Sequence, residues 1–237
     1  MTAQTNLTDG TVEANLRPTR ASGAFAVLLG LFAVVSLDAA TVGPALAVEG
    51  VGLALLTGGL TLLHRGHRLA GGVLLAGAAV AALGALALLV IVTGEVFVAG
   101  QFVPGMVGVV VLALGVVPGR GDGSRRLVKA GTALVFLTVF AVGVVTKPSL
   151  GTLLVGGVAA VLAWDAGEQA VGLGRQLGRR AETYRAEAVH AVGSVVVGVG
   201  AVLAGRGVDG IGSPGLPLSV FALLVIGLVL LAGALHD

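Results

Sequence analysis

The feature that most constrains this chain is the recurrence of uncharged apolar runs broken by short polar stretches. Leu69–Gly94, Val96–Gly119, Ala130–Thr146, Pro148–Trp164, Ala188–Gly205 and Gly210–Leu235 contain no Asp, Glu, Lys or Arg. A helix that crosses a bilayer needs about 20 predominantly apolar residues, and these runs meet that length again and again. Charged residues make up 11% of the chain and its mean hydropathy is +1.04. A soluble domain carries roughly 25% charged residues to wet its surface, so this chain cannot cover itself with polar groups. A membrane β-barrel would need apolar and polar residues alternating in segments of about ten, and the runs hold no such alternation. The reading is an all-α integral membrane protein with the cell membrane as its location.

Residues 1–20 are polar and aperiodic, which is the pattern of a disordered tail. The first apolar run follows Arg17 and Arg20, and Ala45-Leu46-Ala47 resembles a cleavage site. A long leader containing Asp9 and Glu13 argues instead for a retained first helix. Hydropathy and turn residues then place helices at about 22–40, 45–63, 69–93, 99–117, 127–145, 150–165, 187–205 and 217–235 within a membrane domain of 21–237. Gly43-Pro44 reads as the first turn, and Pro118–Arg126 as a flexible basic connector. If the tail is cytoplasmic, the inner segments hold Arg17, Arg20, Arg65, Arg68, Arg120, Arg125, Arg126, Lys129, Arg175, Arg179, Arg180 and Arg185. The outer segments hold only Lys147 and Arg206. That alternation is what the positive-inside rule predicts for eight crossings with both termini cytoplasmic. On this topology the sequon Asn6-Leu7-Thr8 is a chance match. Gly23 and Phe32 recur as Gly131 and Phe140, a faint correspondence that would make two parallel four-helix halves.

Forty glycines are tolerable in a membrane bundle, because small residues let helix backbones approach closely where lipid gives no hydrophobic drive. Gly115/Gly119, Gly174/Gly178, Ser194/Gly198 and Ala201/Gly205 have the small-x-x-x-small spacing and read as packing contacts within the chain. Ionisable residues are placed at helix ends: Asp38, Glu49 and Glu95 at outer ends, Asp165, Glu168 and Glu187 at inner ones. A charge at the bilayer centre usually marks a transport path, so this placement argues against ion-coupled transport.

No catalytic motif, phosphate loop, dinucleotide fingerprint or zinc-protease motif is present, and the chain reads as non-enzymatic with no cofactor and no metal site. With no Cys, there is neither a disulfide framework nor a thiolate metal site. A pI near 9.7 is not a nucleic-acid signal when the basic residues are spread over helix ends. His64 and His67 share ligand spacing, but Arg65 and Arg68 disfavour a cation, so HRGHR reads as a basic loop anchoring the inner leaflet. His190 and Ser194 stand one helical turn apart without a nucleophile-elbow pattern, and read as a polar helix contact.

One stretch differs from the rest. Around the only Trp and the only Tyr, residues 166–186 form an amphipathic cytoplasmic segment with an apolar stripe of Ala170, Leu173, Leu177, Ala181 and Tyr184. It is expected to lie against the membrane or the bundle in preference to projecting into the cytosol. Glu182–Arg185 and Glu187–His190 read as structural pairs, and Trp164 as an interface anchor. The candidate partner-docking set is Trp164, Asp165, Glu168, Arg175, Gln176, Arg179, Glu182, Arg185, Glu187 and His190.

WDAGE followed by LGRQLGRRAETYRAEAVHAVGS resembles the signature segment of an uncharacterised multi-pass membrane family of halophilic archaea. The resemblance is carried by Trp164, Asp165, Gly167, Glu168, Gln176, Leu177, Gly178, Glu182, Thr183, Arg185, Glu187 and His190. It implies a membrane subunit working beside a chaperone-type AAA+ ATPase system, and it supplies no catalytic residues. The expected role is a non-catalytic membrane component that docks a cytoplasmic partner through 164–190. The alternative is a carrier or channel for a small uncharged solute, sensitive at Thr57, Thr132 or Ser194. An intramembrane lipid-modifying enzyme stands third.

Overall fold

The computed structural model describes residues 18–117, 123–177 and 184–209, and every regular element among them is helical. The helices are α1 (Arg20–Val35), α2 (Ala39–His64), α3 (Arg68–Thr93), α4 (Val96–Gly100), α5 (Val103–Val116), α6 (Arg125–Val145), α7 (Leu150–Leu177) and α8 (Tyr184–Asp209). Six spans are long and apolar enough to cross a membrane, with α4 and α5 together forming one of them. The shorter apolar α1 packs beside α5 and α7. The expected count of eight crossings is not reached among the described residues, since the first helix, expected at 22–40, is the 16-residue α1 and 217–235 lies outside them.

The most closely packed pairs, α2–α3, α5–α6 and α1–α7, run antiparallel, and small residues set their spacing. A Cβ on Gly131 of α6 would stand 2.5 Å from the Leu112 amide nitrogen and 2.7 Å from the Gly108 carbonyl oxygen of α5. Only glycine lets two backbones meet that closely, which is how lipid-embedded helices gain packing energy. α2 and α3 close on each other in the same way, with Gly59 against the Gly71 carbonyl and Gly71 against Leu63. α8 meets α7 through Gly198 on Val158 and Leu162, and through Gly205 on Leu154. Of the expected small-residue spacings, Gly115, Gly198 and Gly205 make close contacts with neighbouring helices. The tightest site, Gly108 against Gly131, does not have that spacing.

This packing gathers the starts of α1, α3, α6 and α8 and the ends of α2, α5 and α7 at one end of the bundle. Arg20, Arg65, Arg68, Arg125, Arg126 and Arg185 lie at that basic end, while Lys147 and Arg206 lie at the other. The core is one large apolar cluster, including Val34, Leu46, Leu53, Leu89, Phe102, Met106, Val109 and Val135, with a second around Leu112, Val128, Ala163 and Ala170. The α2–α3 hairpin enters the large cluster through Val42, Ala45, Leu46, Leu53, Ala85 and Leu89, and Leu56 packs against its edge. Nearer the basic end, its buried residues Gly59 and Gly71 pack on the hairpin's own partner helix. The hairpin is therefore joined to the bundle through the half remote from the basic end.

Several boundaries depart from the sequence reading. α2 begins at Ala39, not 45, and carries Pro44 inside it; Asp38 caps it by accepting a hydrogen bond from the Thr41 amide at 3.2 Å. The span expected at 99–117 starts at Val96 and breaks at Gln101-Phe102, where Pro104 opens α5. Proline suits that position because its missing N–H would have no helical partner there. The span expected to stop at 165 continues unbroken to Leu177, so 166–177 is a straight extension of α7 and not a separate helix. Ala163, Ala166, Ala170 and Val171 bury it against the bundle. Tail residues 1–17 lie outside the described residues, but Pro18 is buried and the Thr19 amide donates to the Ala170 carbonyl at 3.1 Å. The described packing does not repeat between halves: α2 packs chiefly on α3, with smaller contacts to α1 and α5, whereas its counterpart α7 is wedged among α1, α6 and α8.

Candidate functional site

Two sets of polar residues interrupt the apolar bundle. The first is at mid-span. Glu49 lies ten residues into α2, about 15 Å along a helix rising 1.5 Å per residue. It is 2% exposed, and neither carboxyl oxygen has a hydrogen-bond partner among the described residues. The expectation that Glu49 sits at an outer helix end is therefore wrong, and the argument against ion-coupled transport loses its premise. Asp38 and Glu95 do sit at helix starts, as N-caps of α2 and α4.

Other buried polar atoms share this property. Gln101, at the α4–α5 break, donates through Nε2 to the Val98 carbonyl at 3.3 Å, while its Oε1 is buried without a partner. Thr138 on α6 is fully buried with an unpartnered Oγ1, beside Gly105 one turn along from the break. Most buried polar groups in proteins are paired, so unpaired ones are a signal. The residues expected to be sensitive in a carrier are instead satisfied: Thr57 donates to Ala54, Thr132 to Val128 and Ser194 to Asp165.

The second set ties the helices together at the basic end. Asp165 Oδ2 takes a hydrogen bond from Ser194 Oγ at 2.7 Å and pairs with His190 Nε2 at 2.8 Å. The Glu168 carboxylate meets the Arg125 guanidinium at 3.3 Å. Glu187 of α8 is buried and accepts from both the Ser22 amide, at 3.0 Å, and the Ser22 hydroxyl, at 2.7 Å. It thereby caps α1 from the far end of the chain, where Thr19 makes no side-chain cap bond. The starts of α1 and α6 each carry partial positive charge from aligned peptide dipoles, and each has a carboxylate beside it.

Part of the docking set belongs to this network. Asp165, Glu168, Glu187 and His190 are engaged between helices, and the expected Glu187–His190 pair gives way to Glu187–Ser22 and His190–Asp165. His190 and Ser194 each turn to Asp165 and not to each other, which is not the order of a nucleophile and its base. Trp164 is 44% exposed on the outside of α7, and Arg185 is exposed. Arg175 and Gln176 belong to the last turn of α7 but their side chains lie outside the described part, as do Arg179 and Glu182 altogether. His64 turns back to its own helix, Nδ1 to the Leu60 carbonyl at 2.9 Å. The signal for this network was in the sequence, as acidic residues placed before basic helix starts; the partner across the bundle was not.

Apolar spans, glycine-mediated crossings and basic residues gathered at helix ends are the features of one class, the helical membrane proteins, and six of the described helical spans are long and apolar enough to cross a bilayer. The chain belongs to the DUF7519 family, a family of unknown function, whose profile matches residues 79–232. That match takes in Asp165, Glu168, Glu187 and His190 and begins inside α3, so Glu49 and Ser22 fall outside it. No curated protein and no solved structure matches the chain.

Proposed function

We propose that the protein is a carrier for a small uncharged solute and that a proton is exchanged at Glu49 during the cycle. The observation that carries this reading is the Glu49 carboxyl, buried at mid-span with both oxygens unpartnered among the described residues. Holding a charge at the centre of a bilayer costs at least ~2.5–3.5 kcal/mol. The Arg and Lys residues of the described helices lie towards helix ends, so no fixed cation offsets that cost at this depth. A carboxyl in such a place is stable when it holds a proton and reactive when it gives one up, which is the behaviour a coupled carrier uses. The α2–α3 hairpin supports the reading further, because it is attached along half its length and leaves a helix pair that can tilt against the bundle.

The test is a proteoliposome assay with glycerol, urea and erythritol as solutes and a pH dye in the lumen. Wild type is expected to speed the entry of at least one solute over empty vesicles, with a coupled pH change, and Glu49→Gln to abolish both. Wild type no faster than empty vesicles for every solute, or Glu49→Gln as fast as wild type, would sink the proposal.

A second reading is that the protein docks a cytoplasmic partner, such as the AAA+ ATPase system implied by resemblance, on the basic end. It draws support from α7, whose 28 residues span about 42 Å against a hydrocarbon core of ~30 Å. The docking variant must leave Glu168 alone, because it holds Arg125. Reversing Arg175, Arg179 and Glu182 and comparing pull-downs from native membranes separates the readings. A cytoplasmic protein lost with the variant supports docking, and unchanged recovery counts against it.

A further inference from the structure

The α2–α3 turn is absorbed by neither reading above. His64, Arg65, His67 and Arg68 are all exposed, as are Gly66 and Leu69. The turn has a fixed shape. The Gly66 amide donates to the Leu63 carbonyl at 3.0 Å and the His67 amide to the Leu62 carbonyl at 3.0 Å, with Gly66 at φ +85°. This is the paired bonding of a left-handed helix cap, and it needs glycine at that position. Two guanidinium groups are thus held on a compact turn.

Among the described residues, the turn has no counter-ion. The chain has no acidic residue between Glu49 and Glu95, so neither helix of the hairpin supplies a carboxylate near it. The hairpin's half nearest the turn packs on itself, away from the carboxylates of α7 and α8. Among the described residues, the ion pairs of the basic end involve Arg125 and His190, and neither Arg65 nor Arg68. Leu69, 89% exposed, places an apolar side chain directly beside the charges. Positive charge flanked by exposed apolar surface, at the end of two spanning helices, matches the level at which phosphodiester groups meet acyl chains.

We propose that the His64–Arg68 turn is a binding site for the phosphodiester headgroup of an anionic lipid, with Arg65 and Arg68 as its ligands and Leu69 against the acyl chain. This site is independent of the carrier and docking readings.

The experiment is native mass spectrometry of delipidated full-length protein offered equal phosphatidylglycerol and phosphatidylcholine in mixed micelles. Wild type is expected to retain phosphatidylglycerol in preference. Arg65→Gln/Arg68→Gln should weaken that retention about twenty-five-fold, at roughly fivefold per arginine near an anionic surface. Lys147→Gln, at the opposite end, should leave it unchanged. The variant's thermal unfolding, measured alongside, is expected to match wild type, since both arginines are exposed. Equal retention of the two lipids by wild type overturns the proposal, and so does undiminished preference in the double variant. Loss of bound lipid to millimolar inorganic phosphate overturns the lipid assignment in favour of a free-phosphate site.

Discussion

Replacing Gly131 by alanine tests the packing argument most directly. A Cβ there would meet the Leu112 amide nitrogen at 2.5 Å, the Gly108 carbonyl oxygen at 2.7 Å and the Leu112 Cα at 2.8 Å. All three atoms are backbone of α5, so no side chain can rotate away, and α5 and α6 must separate by roughly 0.7–0.9 Å to restore ordinary contact. A gap of that size forfeits a quarter to a half of each dispersion contact it opens. It would be felt at Gly105 on Thr138 and at Gly115 on Val128 as well. Overpacking of this kind costs ~1–3 kcal/mol, and more where backbone is opposed. Alanine's better helix propensity returns at most ~1 kcal/mol. The expected net loss is therefore ~2 kcal/mol, read from reversible unfolding of the purified protein in mixed micelles titrated with dodecyl sulfate. Gly84→Ala and Gly157→Ala are the controls, because nothing lies within 4 Å of either added Cβ; both are expected to be neutral or slightly stabilising. If Gly131→Ala unfolds at the same denaturant level as Gly84→Ala, the glycine-mediated α5–α6 crossing is not what holds this bundle together.

Glu187→Gln keeps the shape of the side chain but removes the charge that caps α1 through the Ser22 amide and hydroxyl. A loss of ~1–2 kcal/mol is expected, with faster amide exchange confined to the first turns of α1; exchange unchanged there would mean that the cap is incidental. Pro44→Ala should restore the amide that can donate to the Ala40 carbonyl and raise exchange protection around residues 44–48. No change in protection would show that the helix starts after Pro44, as the sequence reading had it.

The membrane class and most of the helix positions were legible because they depend on composition over a window of about 20 residues, which local errors do not disturb. The basic end was legible for a related reason, since charge bias sums over many loops. What was not legible is pairwise. Gly131 and Gly108 meet across two helices, and neither belongs to a small-x-x-x-small pair, so local spacing gave no sign of their contact. Glu187 and Ser22 are 165 positions apart. From sequence, Glu187 found a neighbour one turn away in His190, the closest plausible partner. In the bundle Glu187 reached across instead, because the start of α1, with its unsatisfied amides, stood opposite. The same holds for the docking set: charged residues clustered along the chain read as one surface, and Asp165 and Glu168 of α7 are in addition bonded to His190, Ser194 and Arg125 of neighbouring helices.

Glu49 shows how a small boundary error becomes a functional one. Gly43-Pro44 carries a turn signal, because proline lacks an amide hydrogen and its ring crowds the carbonyl four residues back. Read as a turn, it starts the helix at 45 and leaves Glu49 within one turn of the membrane surface, where a carboxylate is unremarkable. In a bundle, however, neighbouring helices and local adjustment accommodate proline inside a spanning segment, and Asp38 supplies a cap six residues before Pro44. The start moves from 45 to Ala39, and at 1.5 Å per residue Glu49 moves about 9 Å deeper. That displacement takes the carboxyl from the first turn of the span to its interior, and from a bland position to the group on which the carrier reading rests. The start of α2 and the role of Glu49 are therefore one question. A helix beginning at Ala39 puts Glu49 ten residues inside a spanning segment, as the carrier reading needs, whereas a helix beginning after Pro44 would leave that reading without its group.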